Sequence, residues 1–177
     1  GRSACGPDNP FGYPKEYAFH DPHRTQTIWT NPDPQPTETI ATAFARLAPR
    51  AMAEGLMEAP HGRKYFALFP SFFMLGTPLQ NFVHVVYPIS ATQSRGVIRL
   101  YWVGEDANAS ERFGREAVMG VAREVHSEDI AVIEAGQRGL SSGALEHIHF
   151  QTQEALCRHL FNMVEAAVNA YRAEQTA

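Results

Sequence analysis

Two classes of protein are excluded by what this 177-residue chain has little of. Its two cysteines are too few for the disulfide framework of a small secreted domain. Its apolar runs fall far short of the roughly 18 residues that a membrane-spanning helix needs. The first residues, GRSACGPDNP, lack the apolar segment of a signal peptide. We therefore expect a cytoplasmic protein without a membrane segment.

Basic residues are too few and too scattered for a nucleic-acid-binding protein. The chain has 15 Lys and Arg against 19 Asp and Glu, a formal net charge of −4, and its basic residues form no cluster. Apolar side chains, by contrast, are abundant, at 44% of the residues. A chain of this size and composition predicts one globular domain with a sizeable core.

Changes of pattern divide the single unit 1–177 into four parts. Frequent Pro and Gly in 1–36 predict an irregular arm. Residues 37–60 predict short helices interrupted by proline. Residues 64–103 hold short aromatic and β-branched runs with close turns, which is typical of antiparallel strands. Residues 110–173 have the apolar period of helices, so the order of elements predicts an α+β domain.

The stretch EVHSEDIAVIEAGQRGLSSG, residues 124–143, places a carboxylate, Asp129, on the apolar side of a helix. An isolated buried carboxylate costs several kcal/mol unless it is paired, protonated or bound to a metal. In one interpretation Ser127 caps a new helix that ends at Gly136 and Gly139, and Asp129 bonds free backbone N–H groups in its first turn. In the other, Asp129 is a metal ligand that faces a pocket.

The same stretch carries a family resemblance. EDIAVIEAGQRGLSS resembles the C-terminal segment of Rieske-type ring-hydroxylating oxygenase α subunits, in which a Glu-Asp pair opens a run towards Gln, Gly-Leu and Ser. Upstream, YFALFPSFFML and VVYPIS resemble two strands of that family. The resemblance, which covers residues 60–170, implies a helix-grip (START/SRPBCC-like) fold. That fold is a curved antiparallel sheet with long C-terminal helices, here incomplete on the N-terminal side.

The resemblance also implies a metal centre. A mononuclear non-haem Fe(II) would be held by two His and one carboxylate, and the match places the carboxylate at Asp129. Three ligands on one side of the metal leave the opposite positions for O₂ and substrate. Gln137, two turns further on the same helix face, would either orient that carboxylate or cap a carbonyl at the helix end.

The activity that the resemblance implies is that of an oxidoreductase. A monooxygenase or dioxygenase would hydroxylate or demethylate an aromatic or other hydrophobic compound, as in aromatic hydrocarbon catabolism. Electrons would reach the iron from a Rieske [2Fe–2S] cluster in the parent protein, supplied by a ferredoxin or reductase. A homotrimer or an α/β hetero-oligomer is expected.

Two family motifs are absent from this chain. No two histidines stand five residues apart, so the His-x-x-x-x-His run is missing, and Cys157-Arg158-His159 matches half of the Rieske motif by spelling alone. We therefore expect the C-terminal part of one catalytic domain, with the Rieske part and the two His ligands before Gly1. The isolated chain is expected to be inactive.

Two other functions stay open. The first is a helix-grip protein that binds a hydrophobic ligand without iron. The second is a self-contained metal enzyme that uses His147 and His149, which would share one side of a strand, with Glu146 and His126 as further ligands. His84, in NFVHVVY, is interpreted as a core histidine or a pocket-lining one.

Overall fold

The computed structural model describes residues 13–29, 47, 53–55, 62–77 and 79–176. These residues contain one six-stranded antiparallel sheet and two long helices. The predicted α+β class is confirmed, and the arrangement is consistent with a helix-grip fold. The short helices expected over 37–60 lie almost wholly outside the described residues.

The sheet is a meander in which each strand pairs with the next along the chain. The strands are β1 (Tyr13–His20), β2 (His23–Trp29), β3 (Gly62–Leu68), β4 (Phe72–Gly76), β5 (Gln80–Pro88) and β6 (Ser94–Trp102). Proline cannot donate to the ladder, which confines Pro22 and Pro70 to the turns that follow β1 and β3. The predicted strands within 64–103 correspond to the last four.

The prediction of an irregular arm is wrong for residues 13–29. They form the β1–β2 hairpin, whose register runs from Tyr13 opposite Trp29 to His20 opposite His23. β2 is rich in β-branched residues, and β3 pairs with its other edge, which supplies the partner that an isolated hairpin needs. His23 also accepts a hydrogen bond from the Phe69 backbone N–H at its Nδ1, at 3.0 Å.

Helix α1 spans Ala109–Ser141 without interruption. It begins at Asn108, whose side-chain oxygen accepts a hydrogen bond from the Glu111 N–H at 3.0 Å. Glu111 in turn reaches back and accepts from the Ala107 N–H at 2.9 Å. This reciprocal cap satisfies two of the free N–H groups at the helix start, so Asn108 fixes where α1 begins.

The predicted helix break at Ser127 is wrong. Its hydroxyl donates to the carbonyl of Arg123, one turn earlier, at 2.8 Å, the bond that a serine makes inside a helix rather than at a cap. Gly136 and Gly139 also lie within α1. Each glycine costs about 1 kcal/mol in a helix interior, which a helix of this length accommodates.

Helix α2 spans Ala155–Thr176, as the apolar period of the C-terminal residues predicted. The segment before it, which includes His147 and His149, contains no strand. Neither of these helices is long and apolar enough to cross a membrane.

One side of the sheet faces the helices, and we call it the inner face. Directly opposed residues of antiparallel strands share a side, so the register identifies its members from contacts to the helices. The inner face includes Tyr17, Phe19, Arg24, Gln26, Ile28, Arg63, Tyr65, Ala67, Phe73, Leu75, Gln80, Phe82, His84, Val86, Gly96, Ile98, Leu100 and Trp102. It is predominantly aromatic and aliphatic, which suits contact with an apolar ligand.

Candidate functional site

The start of α1 is fastened to the end of β6 by Arg115. Its guanidinium lies 5.2 Å from the centre of the Trp102 ring. The same group forms an ion pair with Asp106 at 2.9 Å and donates to the Gly104 carbonyl at 3.1 Å. These contacts combine a cation–π interaction with charge-assisted bonds, so they fix the path of α1 across the inner face.

Further along, α1 contacts β5 through three rings. Phe82 and His126 stack with ring centres 5.1 Å apart and planes 24° apart. His84 meets His126 edge-on, with ring centres 6.1 Å apart. His126 Nδ1 lies 2.6 Å from the Ala122 carbonyl oxygen, and because a carbonyl only accepts, Nδ1 carries the proton.

The other edge of the inner face is bordered by α2. His159 stacks on Phe19 of β1, with ring centres 4.5 Å apart, and its Nε2 lies 2.7 Å from a carboxylate oxygen of Asp21. Its side chain is only 9% exposed. The resemblance of Cys157-Arg158-His159 to half a Rieske motif is thus one of spelling, since this histidine anchors α2 to the first hairpin.

Between the two helices, the inner face of β3 and β4 is half-buried, and Ala67 at its centre is buried. Tyr65 and Phe73 lie with ring centres 5.3 Å apart. Burial raises the pKa of Tyr65, and the nearby Arg63 opposes that shift. Burial likewise lowers the pKa of Arg63, against the effect of Tyr65. Both shifts indicate a low-dielectric surface.

His84 is the polar residue on the inner face of β5 that contacts α1. Burial, and then the neighbouring His126, lower the pKa of His84 below its ordinary value of 6.5, so its imidazole is neutral at pH 7. Gly96 on β6 leaves room for the ring, because a Cβ at that position would lie 2.9 Å from His84 Nε2.

Asp129 lies on α1, three residues after His126, and is exposed. Three residues advance a helix by about 4.5 Å and rotate it to within about 60° of the starting direction. Asp129 therefore lies on the side of α1 that faces the sheet, one turn beyond the last ring contact with β5. We expected the Asp129 side chain to point into the core. That expectation is wrong, because no described residue packs over this turn of α1 and the side chain is exposed.

The family model for the ring-hydroxylating α subunit (catalytic domain) matches residues 3–170. The chain belongs to this family. No match was found among curated proteins or among solved structures.

Members of the ring-hydroxylating α-subunit family are oxygenases known for a non-haem iron and a Rieske cluster, so we tested whether this catalytic domain can hold the iron. Among the described residues, no group of three or more His, Cys, Asp or Glu side chains is arranged to bind a metal ion. Asp129 belongs to no such group within the part of the chain that the structure describes. The described part of the domain does not make an iron site on its own.

Gln137, predicted to orient Asp129, bonds elsewhere in the structure. Its amide donates to the Ser141 hydroxyl at 3.0 Å. Eight residues of helix separate it from Asp129 by about 12 Å along the axis. The orienting bond is not made here, and that role remains a prediction.

The alternative metal centre at His147 and His149 is not assembled either. Both side chains are exposed in a segment that is not a strand, with ring centres 6.3 Å apart. Glu146 is also exposed, and His126 contacts Phe82 instead. No third ligand joins the pair within the described residues.

Sequence reasoning did not find the contact between His84 and His126. From the sequence, His84 on a strand and His126 on a helix were considered separately, because no local sequence pattern indicates which strand a helix will contact. The signal that was available is that His126 precedes Asp129 by one helical turn, which places it on the same side of α1.

Proposed function

We propose that this chain is the substrate-side part of the catalytic domain of a Rieske non-haem iron oxygenase. The reaction would hydroxylate or demethylate an aromatic or other hydrophobic compound with O₂. The observation that carries the proposal is the family match over residues 3–170. The aromatic inner face, bordered by α1 on one edge and α2 on the other, supports it.

In this proposal Asp129 supplies the carboxylate that holds the iron. It lies on the helix that borders the inner face, it is exposed, and it is one turn beyond His126. When bound, the iron would supply oxygen activation beside the substrate. The imidazole ligands would come from a part of the polypeptide that precedes this chain.

The residues of the chain itself bind the substrate and exclude water. Tyr65, Phe73 and Phe82 offer aromatic faces to a planar apolar compound, and such contacts favour offset or edge-on packing. The low-dielectric surface around Tyr65 keeps water from the ring that is oxidised. Orientation of the substrate is therefore the task of these strands.

The proposal extends to partners and setting. A Rieske [2Fe–2S] part of the same protein would deliver electrons from a ferredoxin or reductase, in a cytoplasmic homotrimer or α/β hetero-oligomer. The isolated 177-residue chain would not turn over, because this proposal assigns it one of the three iron ligands.

Asp129 provides the direct test, in the polypeptide that includes the residues encoded upstream. Asp129→Ala should abolish iron retention and hydroxylation while the Rieske absorbance stays unchanged. Asp129→Glu should also impair activity strongly, because a displacement of about 1 Å disturbs the geometry of a reacting site. Iron is measured by metal analysis of the purified protein.

The neighbouring Glu128, which is also exposed, is the matched control. Glu128→Ala should retain iron and activity. Full iron and full activity in Asp129→Ala would show that another residue is the ligand. Upstream sequence without Cys-x-His, Cys-x-x-His and His-x-x-x-x-His would overturn the oxygenase assignment itself.

The second candidate function is a helix-grip protein that binds a hydrophobic ligand without iron. It is favoured by one observation: the inner face of the described sheet is predominantly aromatic and aliphatic. A start codon close to Gly1, together with ligand binding by the 177-residue chain, is the result that this candidate predicts.

A further inference from the structure

We propose that His84 and His126 form a polar site on the inner face that binds the hydroxyl group of an aromatic compound. The inference rests on the proposed function in one respect, namely that the bound compound is the substrate. The binding itself can be measured without iron or turnover.

The first step concerns where the two imidazoles lie. Their ring centres are 6.1 Å apart, and Phe82 contacts both, at 5.1 Å from His126 and 6.4 Å from His84. A strand and a helix thus bring two polar rings to one edge of an aromatic surface. Because His126 covers one face of Phe82, a planar ligand would pack beside the Phe82 ring with its polar group directed at the two imidazoles.

The second step concerns which atoms are available. His126 Nδ1 donates to the Ala122 carbonyl at 2.6 Å, so in the neutral ring Nε2 is an acceptor. Within the described residues, neither nitrogen of His84 takes part in a hydrogen bond. The pair therefore offers one fixed acceptor and, from a neutral His84, one N–H donor and one further acceptor.

The third step identifies the ligand group that fits. A hydroxyl both donates and accepts, so it can donate to His126 Nε2 while it accepts from the N–H of His84. Hydrogen bonds of about 2.8 Å allow one oxygen to reach both rings. A methyl group of the same size makes neither bond, and an ether oxygen can only accept. The geometry therefore favours a phenol-like compound over a hydrocarbon of equal shape.

Charge near the pair also bears on the ligand. Burial and the neighbouring His126 hold the pKa of His84 below its ordinary value, which disfavours a charged His84 ring as the partner of a carboxylate. The arginines of the inner face, Arg24 and Arg63, lie on β2 and β3 rather than on β5. A neutral hydroxyl therefore suits the two imidazoles better than an ion.

The test compares three ligands of matched shape, naphthol, methylnaphthalene and methoxynaphthalene, by fluorescence titration of the purified protein at neutral pH. We expect naphthol to bind about tenfold more tightly than methylnaphthalene, the effect of one or two hydrogen bonds. Methoxynaphthalene, which can accept from His84 but cannot donate to His126, should bind with an affinity between those of the other two. Equal binding of naphthol and methylnaphthalene would overturn the inference.

Variants assign the preference to the two rings. His84→Phe and His126→Phe should each bring naphthol and methylnaphthalene to within about twofold of each other, whereas His84→Gln, which keeps a donor and an acceptor, should restore part of the preference. His147→Phe, at an exposed loop position, is the matched control and should keep it. Because each variant is compared between two ligands, a general loss of affinity does not mimic the result.

The outcomes separate this inference from the proposed function. A retained hydroxyl preference without iron or an upstream Rieske motif would leave a ligand-binding protein. Loss of the preference with iron and activity intact would remove only the hydroxyl site. A preference unchanged in the variant that carries both His84→Phe and His126→Phe would place hydroxyl recognition elsewhere.

Discussion

At the scale of single residues, one histidine from each helix stacks on a phenylalanine of the sheet. His126 of α1 stacks on Phe82, and His159 of α2 stacks on Phe19. An imidazole suits this position because it combines a flat face for stacking with a polar edge for a hydrogen bond. Each of these imidazoles therefore contributes both a ring contact and a polar contact where a helix meets the sheet.

The lowered pKa of His84 predicts that the folded protein loses stability in acid. Its pKa in the folded protein is below the ordinary 6.5, so the unfolded chain binds a proton more readily. Above about pH 6.5, His84 is neutral in both states and does not weaken the fold. As the pH falls from there through the lower pKa of the folded state, the unfolded chain takes up the proton first, and the free energy of unfolding decreases. The free energy of unfolding should therefore drop between about pH 7.5 and pH 5 by less in His84→Phe than in the wild type.

Urea titration at each pH measures this difference. His149→Phe serves as the control, because His149 is exposed in the segment before α2, and its acid response should equal that of the wild type. An unchanged pH dependence in His84→Phe would contradict the prediction.

At the scale of elements, α1 shows how a cap and the helix interior share the same residue types. Asn108 at the start accepts from Glu111 N–H, whereas Ser127 in the middle donates to Arg123. The sequence pattern around Ser127, with two acidic residues following, is that of a helix start. Only the continuous backbone distinguishes the two positions.

Alanine substitutions at Asn108 and Ser127 distinguish a helix cap from a position inside the helix. Asn108→Ala should lower the free energy of unfolding by about 1 kcal/mol, because a free N–H at the helix start loses its acceptor. Ser127→Ala should change it by less than about 0.5 kcal/mol. Thermal unfolding followed by circular dichroism measures both, and a loss in Ser127→Ala equal to that in Asn108→Ala would revive a cap at Ser127.

At the scale of the whole molecule, the sheet forms by successive pairing of neighbouring strands, and the helices contact its opposite edges. This meander needs only local connections, which accounts for how well its last four strands could be predicted. The β1–β2 hairpin was missed because proline and glycine on either side hid a β-branched run, RTQTIW, next to an Asp-Pro turn.

The anchoring of α2 can be tested across the molecule. His159→Leu should increase amide hydrogen exchange within 155–176 and leave the exchange of β3 to β6 unchanged, because the stacking on Phe19 and the bond to Asp21 are lost together. Asp21→Asn should have a small effect, since the Asp21 side chain is 72% exposed and exposed ion pairs contribute little.

His147→Leu provides the comparison, because it removes an exposed imidazole without a contact to the sheet. Hydrogen exchange resolved by peptide mass spectrometry reports each element separately. Equal exchange of 155–176 in His159→Leu and the wild type would show that α2 is held by other contacts.

The sequence by itself determined the α+β class, the last four strands, the two helical regions and the family, because each depends on the order and period of nearby residues. The tertiary structure alone decided that α1 is one helix, that His84 meets His126, and that Asp129 is exposed one turn beyond that contact. The reason is physical: side-chain period sets which elements form, whereas the partner that each face meets depends on where chain segments far apart in sequence come together.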